Sequence, residues 1–382
     1  MVKIAILRRE TGASFSMDVY ADGLVNGLRT VRPDWAIAEL RPPERKQSKG
    51  NSVVASIIAG ISKYYRRYWQ YPKLAARIQA DLFHIIDHSD GHLAYRLSKT
   101  GKPVVVTCHD LINFRQPQNI QDQAKLPVIS TAIWKYAVRG ITKADNIVTV
   151  SKHTAKDVVE LLAIAPSKIT PIPNGVDPAF TPFSLEIRQT IRQKYGISPD
   201  KFCILHVGSN HPRKNILTIL KVIKELRDQD MPIQFVKAGA DFNQTQQSFI
   251  ADHQLESWIT RFDRPDSSAL IELYNMSDVL MSPSLYEGFG ITLLEAMACG
   301  IPVITSNVTS LPEVVGSSGI MVDPLSITGL STAVLDLMKN SEYRNELIQQ
   351  GYRRVKGFTW NSTAEQVAQV YENLMLLTAE SL

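Results

Sequence analysis

The 382-residue sequence has only three cysteines, Cys108, Cys203 and Cys299. They are odd in number and far apart, and no Cys-x-x-Cys pair occurs. This pattern argues against a disulfide framework and against a cysteine zinc site, and it predicts a reducing compartment.

Long hydrophobic runs are also lacking. The longest, VVASIIAGI at 53–61, is about half as long as a membrane span requires. The opening MVKIAILRRE reads as a short strand followed by charges, unlike a signal peptide. We therefore expect a soluble cytoplasmic protein that is at most peripheral to a membrane.

Charge is present but unevenly distributed. Residues 1–180 contain 25 Lys and Arg against 15 Asp and Glu, whereas residues 181–382 contain 17 against 22. The first half therefore carries +10 and the second −5, which indicates that the two halves face different partners.

Short apolar runs alternate with helical patterns along the whole chain, which predicts parallel sheets covered on both faces. Two such series predict two doubly wound α/β domains. A cluster of Pro, Gly and Asn near 173–184 predicts the boundary, giving an N-terminal domain over 1–183 and a second domain over 184–358. Residues 359–382 predict a C-terminal helix that returns to the first domain. The predicted strands are 2–7, 35–40, 82–86, 103–108, 146–150, 168–173, 202–208, 233–239, 278–284, 302–305 and 319–323.

The stretch SPSLYEGFGITLLEAMACGIPVI at 282–304 predicts a strand end, a Gly-rich loop and a helix. Glu287 lies in the loop and Glu295 just over one turn into the helix, so both carboxylates can face one ligand. The glycines permit close backbone approach, and the helix start offers N–H groups to an anion. The pair therefore suits a ligand with phosphate at its centre and hydroxyls at both ends, such as a nucleotide sugar. For either glutamate alone, a solvated helix-face charge would be the better interpretation.

A second anion-binding signal is VGSNHPRKN at 207–215, a strand end followed by a loop and a helix start. Arg213 and Lys214 oppose the dipole of that helix, which is unfavourable unless an anion neutralises them. A guanidinium can also bind phosphate with two hydrogen bonds.

The segment from Glu287 to Val303 resembles the E-x7-E signature of the family 4 retaining glycosyltransferases, which have the GT-B fold. VTCHDL (106–111), VSKHTAKD (150–157), KITPIPNGVD (168–177), VGSNHPRKN (207–215) and FTW (358–360) resemble family segments in family order. The resemblance covers nearly the whole chain and implies two Rossmann-like domains that face a central cleft.

The resemblance also implies residue roles. It places Glu287 and His109 at the donor sugar, Glu295 at the ribose and Lys214 at the diphosphate. We expect Arg213 to substitute for the family's phosphate-binding arginine. The candidate catalytic set is His109, Glu287, Arg213 and Lys214. Ser209 stands where many members have arginine, and the first loop matches the family's Gly-Gly pair only at Gly12, near Ser14. Candidate donor-binding residues are Gly12, Ser209, Gly288, Phe289, Gly290, Ile291, Thr292 and Glu295. Candidate acceptor-side residues are Asp110, His88 and Asp18.

The cluster His84, Asp87, His88, Asp90 and His92 could suggest a metal site. Asp-Gly between His88 and His92 predicts a loop, however, and the family generally needs no metal. We expect no metal and no cofactor other than the nucleotide-diphosphate sugar, which is the donor substrate.

The run ISKYYRRYWQYPK at 61–73 interleaves aromatic and basic residues. Such a run can bind single-stranded nucleic acid or an anionic membrane surface, or it can be an ordinary amphipathic helix. We favour peripheral membrane contact at the inner face over nucleic acid.

Together with these patterns, the family resemblance implies a metal-independent retaining glycosyltransferase. Its donor would be a nucleotide sugar and its acceptor a glycan or a lipid-linked molecule. A nucleotide-sugar epimerase, a sugar phosphorylase or a catalytically silent nucleotide-sugar-binding protein are the alternatives.

Overall fold

The computed structural model describes residues 1–12, 15–43, 62, 64–115 and 127–380. Ser14 and, within the aromatic and basic run, Ile61 and Lys63 lie outside these ranges. Contacts divide the chain into two units: Met1–Gly175 with Trp360–Leu382, and Val176–Thr359. The boundary predicted from the sequence falls after Phe183, eight residues later than this division.

The first unit contains a six-stranded parallel sheet in the order β2-β1-β3-β4-β5-β6. Strands β3 and β4 are buried along their whole length, as expected for a parallel sheet covered on both faces. The strand order reverses between β1 and β3, so the carboxyl ends of these strands form a switch point. The strands are β1 Lys3–Leu7, β2 Ala36–Leu40, β3 Leu82–Ile85, β4 Val104–Cys108, β5 Asn146–Thr149 and β6 Ile169–Pro171.

The second unit contains another six-stranded parallel sheet, in the order β12-β11-β10-β7-β8-β9. When β7 is counted as strand 1, this order is 6-5-4-1-2-3, which is the strand order of dinucleotide-binding domains. Its switch point lies between β7 and β10. The two sheets confirm the predicted fold class. The strands are β7 Phe202–Val207, β8 Ile233–Ala238, β9 Ile259–Phe262, β10 Val279–Ser282, β11 Val303–Ser306 and β12 Ile320–Val322.

Helices cover both sheets. In the first unit they are Phe15–Val31, Tyr71–Ala75, Ala94–Leu97, Ile112–Arg115, Pro127–Arg139, Lys152–Leu162 and Trp360–Glu380. In the second unit they are Leu185–Lys194, Ile216–Asp228, Gln244–Asp252, Ser267–Met276, Ile291–Ala298, Leu311–Val315, Ile327–Lys339 and Ser341–Val355. Over the part of the chain given above, no helix combines the length and the apolar content that crossing a bilayer requires.

The C-terminal helix Trp360–Glu380 packs against Phe15–Val31 within the first unit. Two glycines allow this close approach, since a Cβ on Gly23 would lie 2.2 Å from the Trp360 ring and one on Gly27 would lie 2.6 Å from the Trp360 carbonyl oxygen. The buried hydroxyl of Tyr371 on the C-terminal helix reaches His84 of β3.

Eleven of the twelve strands in the described residues were predicted, and β9 was missed. Its sequence, Ile-Thr-Arg-Phe, has two polar residues between two apolar ones, and the strand is a half-buried edge. The prediction relied on continuous apolar runs, which edge strands do not need. The prediction of a loop between His88 and His92 was also wrong, because His88–Leu93 forms a 3-10 helix that Asp87 caps.

Candidate functional site

The carboxyl ends of β7 and β10 carry the strongest candidate residues. These strands are hydrogen-bonded neighbours at the switch point of the second sheet. The segment after β7 contains Arg213 and Lys214, and the segment after β10 contains Glu287. Parallel strands end at one edge, so residues far apart in sequence meet there.

Glu287 forms ion pairs with both Lys214 and Arg213. Lys214 Nζ lies 2.6 Å from its Oε1, Arg213 Nη1 lies 2.5 Å from its Oε2, and the Ser284 hydroxyl donates to Oε1 at 2.8 Å. Glu287 is only 7% exposed and Lys214 only 9%. Two positive charges therefore face one carboxylate in a largely desolvated position, which leaves a net positive charge.

The charge state of this cluster follows from burial and ion pairing. Burial alone would raise the pKa of Glu287, but the positive charges of Lys214 and Arg213 outweigh it and lower that pKa to about 2. Burial lowers the pKa of Lys214, while Glu287 acts in the opposite direction. Glu287 is therefore an ionised hydrogen-bond acceptor near neutral pH.

The backbone around Glu287 is held by two hydroxyls. Glu287 N donates to Thr309 Oγ1 at 3.2 Å, and Ser310 Oγ donates to the carbonyls of Glu287 and Phe289, both at 2.9 Å. Thr309 has φ +58°, a left-handed conformation that costs a β-branched residue about 1–3 kcal/mol. The surrounding structure maintains this strain next to Glu287.

Loop glycines shape the start of the helix Ile291–Ala298. Gly290 has φ +106° and lies at the N-cap without a side-chain cap, and a Cβ there would lie 2.8 Å from Leu311. Ile291 and Thr292 form the first turn, next to the half-buried Gly288. Phe289 is buried, with its ring 6.2 Å from that of Phe358, so its side chain packs internally.

Glu295 is half-buried on the same helix and accepts a 2.6 Å hydrogen bond from Tyr274 Oη. Burial raises the pKa of Glu295 to about 7, although this hydrogen bond acts in the opposite direction. Tyr274 is fully buried on Ser267–Met276, and no sequence motif marked it.

The segment after β7 is positioned by backbone and amide contacts. Asn215 has φ +58°, and its side-chain amide donates to the carbonyls of Pro283 and Pro324 at 3.1 and 2.7 Å. Gly208 packs against Lys214, because a Cβ there would lie 3.3 Å from Lys214 Cε. Ser209 follows as an exposed residue.

His206 was not predicted and lies beneath Gly208. It is fully buried, and its Nδ1 lies 3.0 Å from the Met281 carbonyl. Burial lowers the pKa of His206 to about 3, so the ring is neutral and Nδ1 is the donor. In the described part of the chain, its buried Nε2 has no hydrogen-bond partner.

In the first unit, His109 directly follows β4. Its Nε2 donates to the Ile86 carbonyl at 2.8 Å, and its backbone N–H donates to His88 Nδ1 at 3.4 Å. Burial lowers the pKa of His109, although Asp87 acts in the opposite direction. The neutral ring therefore keeps Nδ1 as a hydrogen-bond acceptor.

A buried hydrogen-bond chain leads from the C-terminal helix towards His109. Tyr371 Oη lies 2.5 Å from His84 Nδ1, His84 Nε2 lies 2.7 Å from Thr107 Oγ1, and that hydroxyl lies 3.0 Å from Tyr20 Oη. The Tyr20 ring then meets the His109 ring edge-on at 4.7 Å.

The remaining first-unit candidates have local partners. Asp18 accepts from the backbone N–H of Gly12 at 3.2 Å and pairs with Arg41 at 3.1 Å, and Gly12 has φ +71°. Asp110 accepts from the N–H of Ile112 at 3.2 Å, at the start of a short helix. Asp18 and Asp110 thus hold loops at the carboxyl edge of the first sheet.

The histidine and aspartate cluster after β3 is engaged in ion pairs. Asp87 pairs with Arg9 at 3.0 Å and Asp90 with Arg67 at 2.7 Å. Within residues 1–12, 15–43, 62, 64–115 and 127–380, no group of three or more His, Cys, Asp or Glu could hold a metal ion. All three cysteines are free and buried.

Two family models match the chain. One, described as glycosyl transferases group 1, matches residues 187–354, and the other, described as glycosyltransferase family 4, matches residues 18–180. Together they span most of both units.

Relatives and solved structures agree with these matches. The chain is 28% identical over 287 residues to O-antigen chain mannosyltransferase B of Escherichia coli, covering 74% of this chain and 72% of that protein. It is 27% identical over 321 residues to the serotype-specific mannosyltransferase WbdA of Escherichia coli, covering 80% of this chain but only 38% of that longer protein. The crystal structure of Anabaena HepE in complex with UDP-glucose superposes with a TM-score of 0.74 at 14% identity, covering 98% of this chain and all of that one.

The two doubly wound units and the structural likeness show the GT-B fold, and the family models with the named relatives show a glycosyltransferase. The paired family models identify the chain as a member of glycosyltransferase family 4.

Proposed function

We propose that this glycosyltransferase retains anomeric configuration and moves a hexose such as mannose or glucose from a nucleotide-diphosphate sugar. The acceptor is a glycan or a lipid-linked molecule. The relatives support this proposal, since two are mannosyltransferases and HepE was solved with UDP-glucose.

The observation that carries the proposal is the Arg213–Lys214–Glu287 cluster at the switch point of the second sheet. The single negative charge of Glu287 does not balance the two positive charges of Arg213 and Lys214, so the cluster keeps an excess positive charge. The first turn of the helix Ile291–Ala298 provides backbone N–H groups in the same unit. A diphosphate bound between these groups would neutralise the excess positive charge and accept hydrogen bonds from the N–H groups. Gly208 and Gly290 would allow its oxygens to approach the backbone closely.

In the proposed reaction, the bond between the sugar C1 and the diphosphate oxygen breaks while the acceptor oxygen bonds to C1 on the same face. The acceptor proton passes to an oxygen of the departing diphosphate, so no separate base is required. Arg213 and Lys214 stabilise the charge that develops on the leaving group, which is the part of such reactions where fixed electrostatics contribute most.

Glu287 and His109 would position the donor sugar. Ionised Glu287 has only acceptor sites and suits sugar hydroxyls, as does the unprotonated Nδ1 of His109. Glu295 would accept from the ribose hydroxyls, with Tyr274 fixing its rotamer. Gly12 and Ser209 would contact the donor phosphates, and Asp18, His88 and Asp110 would lie on the acceptor side.

We further propose that the reaction is independent of a metal ion. Arg213 and Lys214 can stabilise the negative charge of the leaving diphosphate, as a divalent cation does in other enzymes.

Peripheral contact with an anionic membrane at the inner, cytoplasmic face is a separate part of the proposal. Tyr64 and Tyr65 are exposed, and Arg66 follows them directly. Aromatic side chains at headgroup depth and cations near anionic lipid together favour reversible binding.

The test measures release of nucleoside diphosphate from GDP-, UDP- and ADP-sugars, each with and without a polyprenol-linked or glycan acceptor. We expect one donor class to give release that depends on acceptor. Conversion of the donor without release would indicate an epimerase instead. Absence of both conversion and donor binding across the panel would overturn the proposal.

A further inference from the structure

A groove of about 530 Å³ lies over the helices of the first unit. We call it the aromatic groove and define it by four rings, Tyr68, Trp69, Tyr95 and Tyr136, together with the basic residues described below. Its volume is that of a site for a small organic ligand or a short polymer segment.

The rings are held in fixed positions by their neighbours. Tyr95 and Tyr136 stack with centroids 5.1 Å apart, and Tyr68 lies 4.5 Å from the His92 ring. Trp69 is 56% exposed and Tyr136 is 55% exposed, so part of each ring remains accessible to an occupant. Flat aromatic faces pack well against the C–H face of a pyranose ring, and they lose little conformational entropy on binding.

The charges in the groove have one sign. Of the residues that the structure describes, Lys73, Arg96 and Lys99 are the charged ones that line it, and no described Asp or Glu does. Among the residues whose positions are described, these three form no ion pair within salt-bridge distance, although Lys73 Nζ stacks 4.5 Å from the Trp69 ring. Most first-unit arginines at the carboxyl edge of the sheet, by contrast, pair with a carboxylate. The occupant that complements this groove is therefore anionic.

His92 adds an unused hydrogen-bond acceptor to the groove lining. It is 4% exposed, and its Nε2 donates to the Arg67 carbonyl at 3.0 Å. Its Nδ1 is consequently an acceptor, and over the described ranges it has no hydrogen-bond partner. Glycans carry hydroxyl donors on nearly every residue, whereas acyl chains carry none. The combination of rings, cations and an unused acceptor favours a charged glycan over a lipid tail.

The groove is connected to the proposed acceptor side by one short element. The 3-10 helix His88–Leu93 has His88 beside His109 at one end and His92 in the groove at the other. Four residues of 3-10 helix span about 8 Å. An acceptor chain that extends from the reaction centre past His88 would therefore reach the groove.

We propose that the aromatic groove binds an anionic glycan, namely the already assembled part of the acceptor beyond the sugar that reacts. This inference rests on the proposed function in taking the acceptor to be a glycan. The groove would select acceptors by chain length and charge and would lower their KM.

Direct binding tests this proposal without donor or turnover. The probe is a short dextran sulfate, compared with unsulfated dextran of equal chain length and with a single-stranded oligonucleotide of equal charge, by calorimetry at physiological salt. The groove variant is Arg96→Ser/Lys99→Ser/Tyr136→Ser. The matched control is Lys3→Ser/Lys143→Ser/Tyr65→Ser, which removes the same charge and one exposed tyrosine away from the groove lining.

We expect wild type and control to bind dextran sulfate alike, and the groove variant to bind it at least about tenfold more weakly, which corresponds to about 1.4 kcal/mol. Equal binding by the groove variant would overturn the proposal, since the attraction would then come from overall charge. If the oligonucleotide binds more tightly than dextran sulfate, and the groove variant loses that binding, the occupant of the groove is a nucleic acid and the proposal is wrong. Because no donor is present, failure of sugar transfer would count against the proposed function alone.

Discussion

Replacing Lys214 by alanine removes one of the two cations that face Glu287. Lys214 Nζ lies 2.6 Å from Glu287 Oε1 in a position that is 9% exposed, so little water replaces the lost charge. Loss of one preorganised contact to developing charge typically raises the barrier by roughly 2–4 kcal/mol, or about 30- to 1000-fold in rate. We expect kcat and kcat/KM to fall together, as for an interaction made mainly in the transition state.

The stability effect of Lys214→Ala should be smaller than for a fully broken buried ion pair. Glu287 keeps Arg213 and the Ser284 hydroxyl as partners, so its charge does not become isolated. We expect a loss of unfolding free energy of about 1–3 kcal/mol, the usual penalty for one lost partner of a buried polar group.

Arg192→Ala provides the matched control. Arg192 pairs with Asp278 just before β10, at the opposite edge of the same sheet, and is also largely buried. It should lose comparable stability while turnover stays near wild type. Nucleoside diphosphate release and urea unfolding measure both quantities. A folded Lys214→Ala variant with kcat within about threefold of wild type would refute the assigned role.

Three further predictions concern metal, pH and the buried network. Activity should survive dialysis against EDTA, and a loss that magnesium or manganese restores would contradict the proposed leaving-group chemistry. The pKa of Glu295 is raised to about 7 from an ordinary value of 4.5, so its contribution to stability is complete below pH 4.5 and is lost as the pH rises to about 7. Glu295→Gln should therefore reduce the loss of unfolding free energy between pH 4.5 and about 7 by about 1–3 kcal/mol, as measured by urea titrations. An unchanged dependence of unfolding free energy on pH would contradict the raised pKa of Glu295. Tyr371→Phe removes the hydroxyl partner of the His84 ring and should reduce unfolding free energy by about 1–3 kcal/mol, with a smaller loss of turnover through Tyr20 and His109. Wild-type stability in that variant would show that the buried chain is not coupled to folding.

The sequence predicted those parts of the site that are encoded locally. Arg213 and Lys214 stand together at a helix start, and Glu287 stands among glycines after a strand, so each carries a local signal. Their meeting follows from the parallel sheet, because strands that are distant in sequence end at the same edge.

The supporting residues carried no comparable signal. Tyr274 reaches Glu295 from another helix, and Thr309 and Ser310 reach the Glu287 loop from the segment after β11. Their hydroxyls are ordinary in sequence and acquire a role only through tertiary contact. The ion pairs of Glu287 with Arg213 and Lys214 were not predicted, because the sequence-based interpretation assigned the neutralisation of both cations to a bound anion alone.

The helix and strand predictions failed where local pattern and environment diverge. Strand β9 is a half-buried edge without a continuous apolar run, and the polar segment His88–Leu93 folds because Asp87 caps it and Arg67 pairs with Asp90. The Asp87 cap on Ser89 is local, whereas the Arg67–Asp90 ion pair is tertiary and cannot be seen in the spacing of residues.

The most direct measurement is proton NMR of wild-type protein with its preferred nucleotide sugar and acceptor, in the presence of EDTA. The account predicts that the donor's anomeric signal declines as nucleoside diphosphate and a glycoside of the same anomeric configuration appear in equal amounts. A product of inverted configuration, or no transfer until a divalent cation is added, would contradict it.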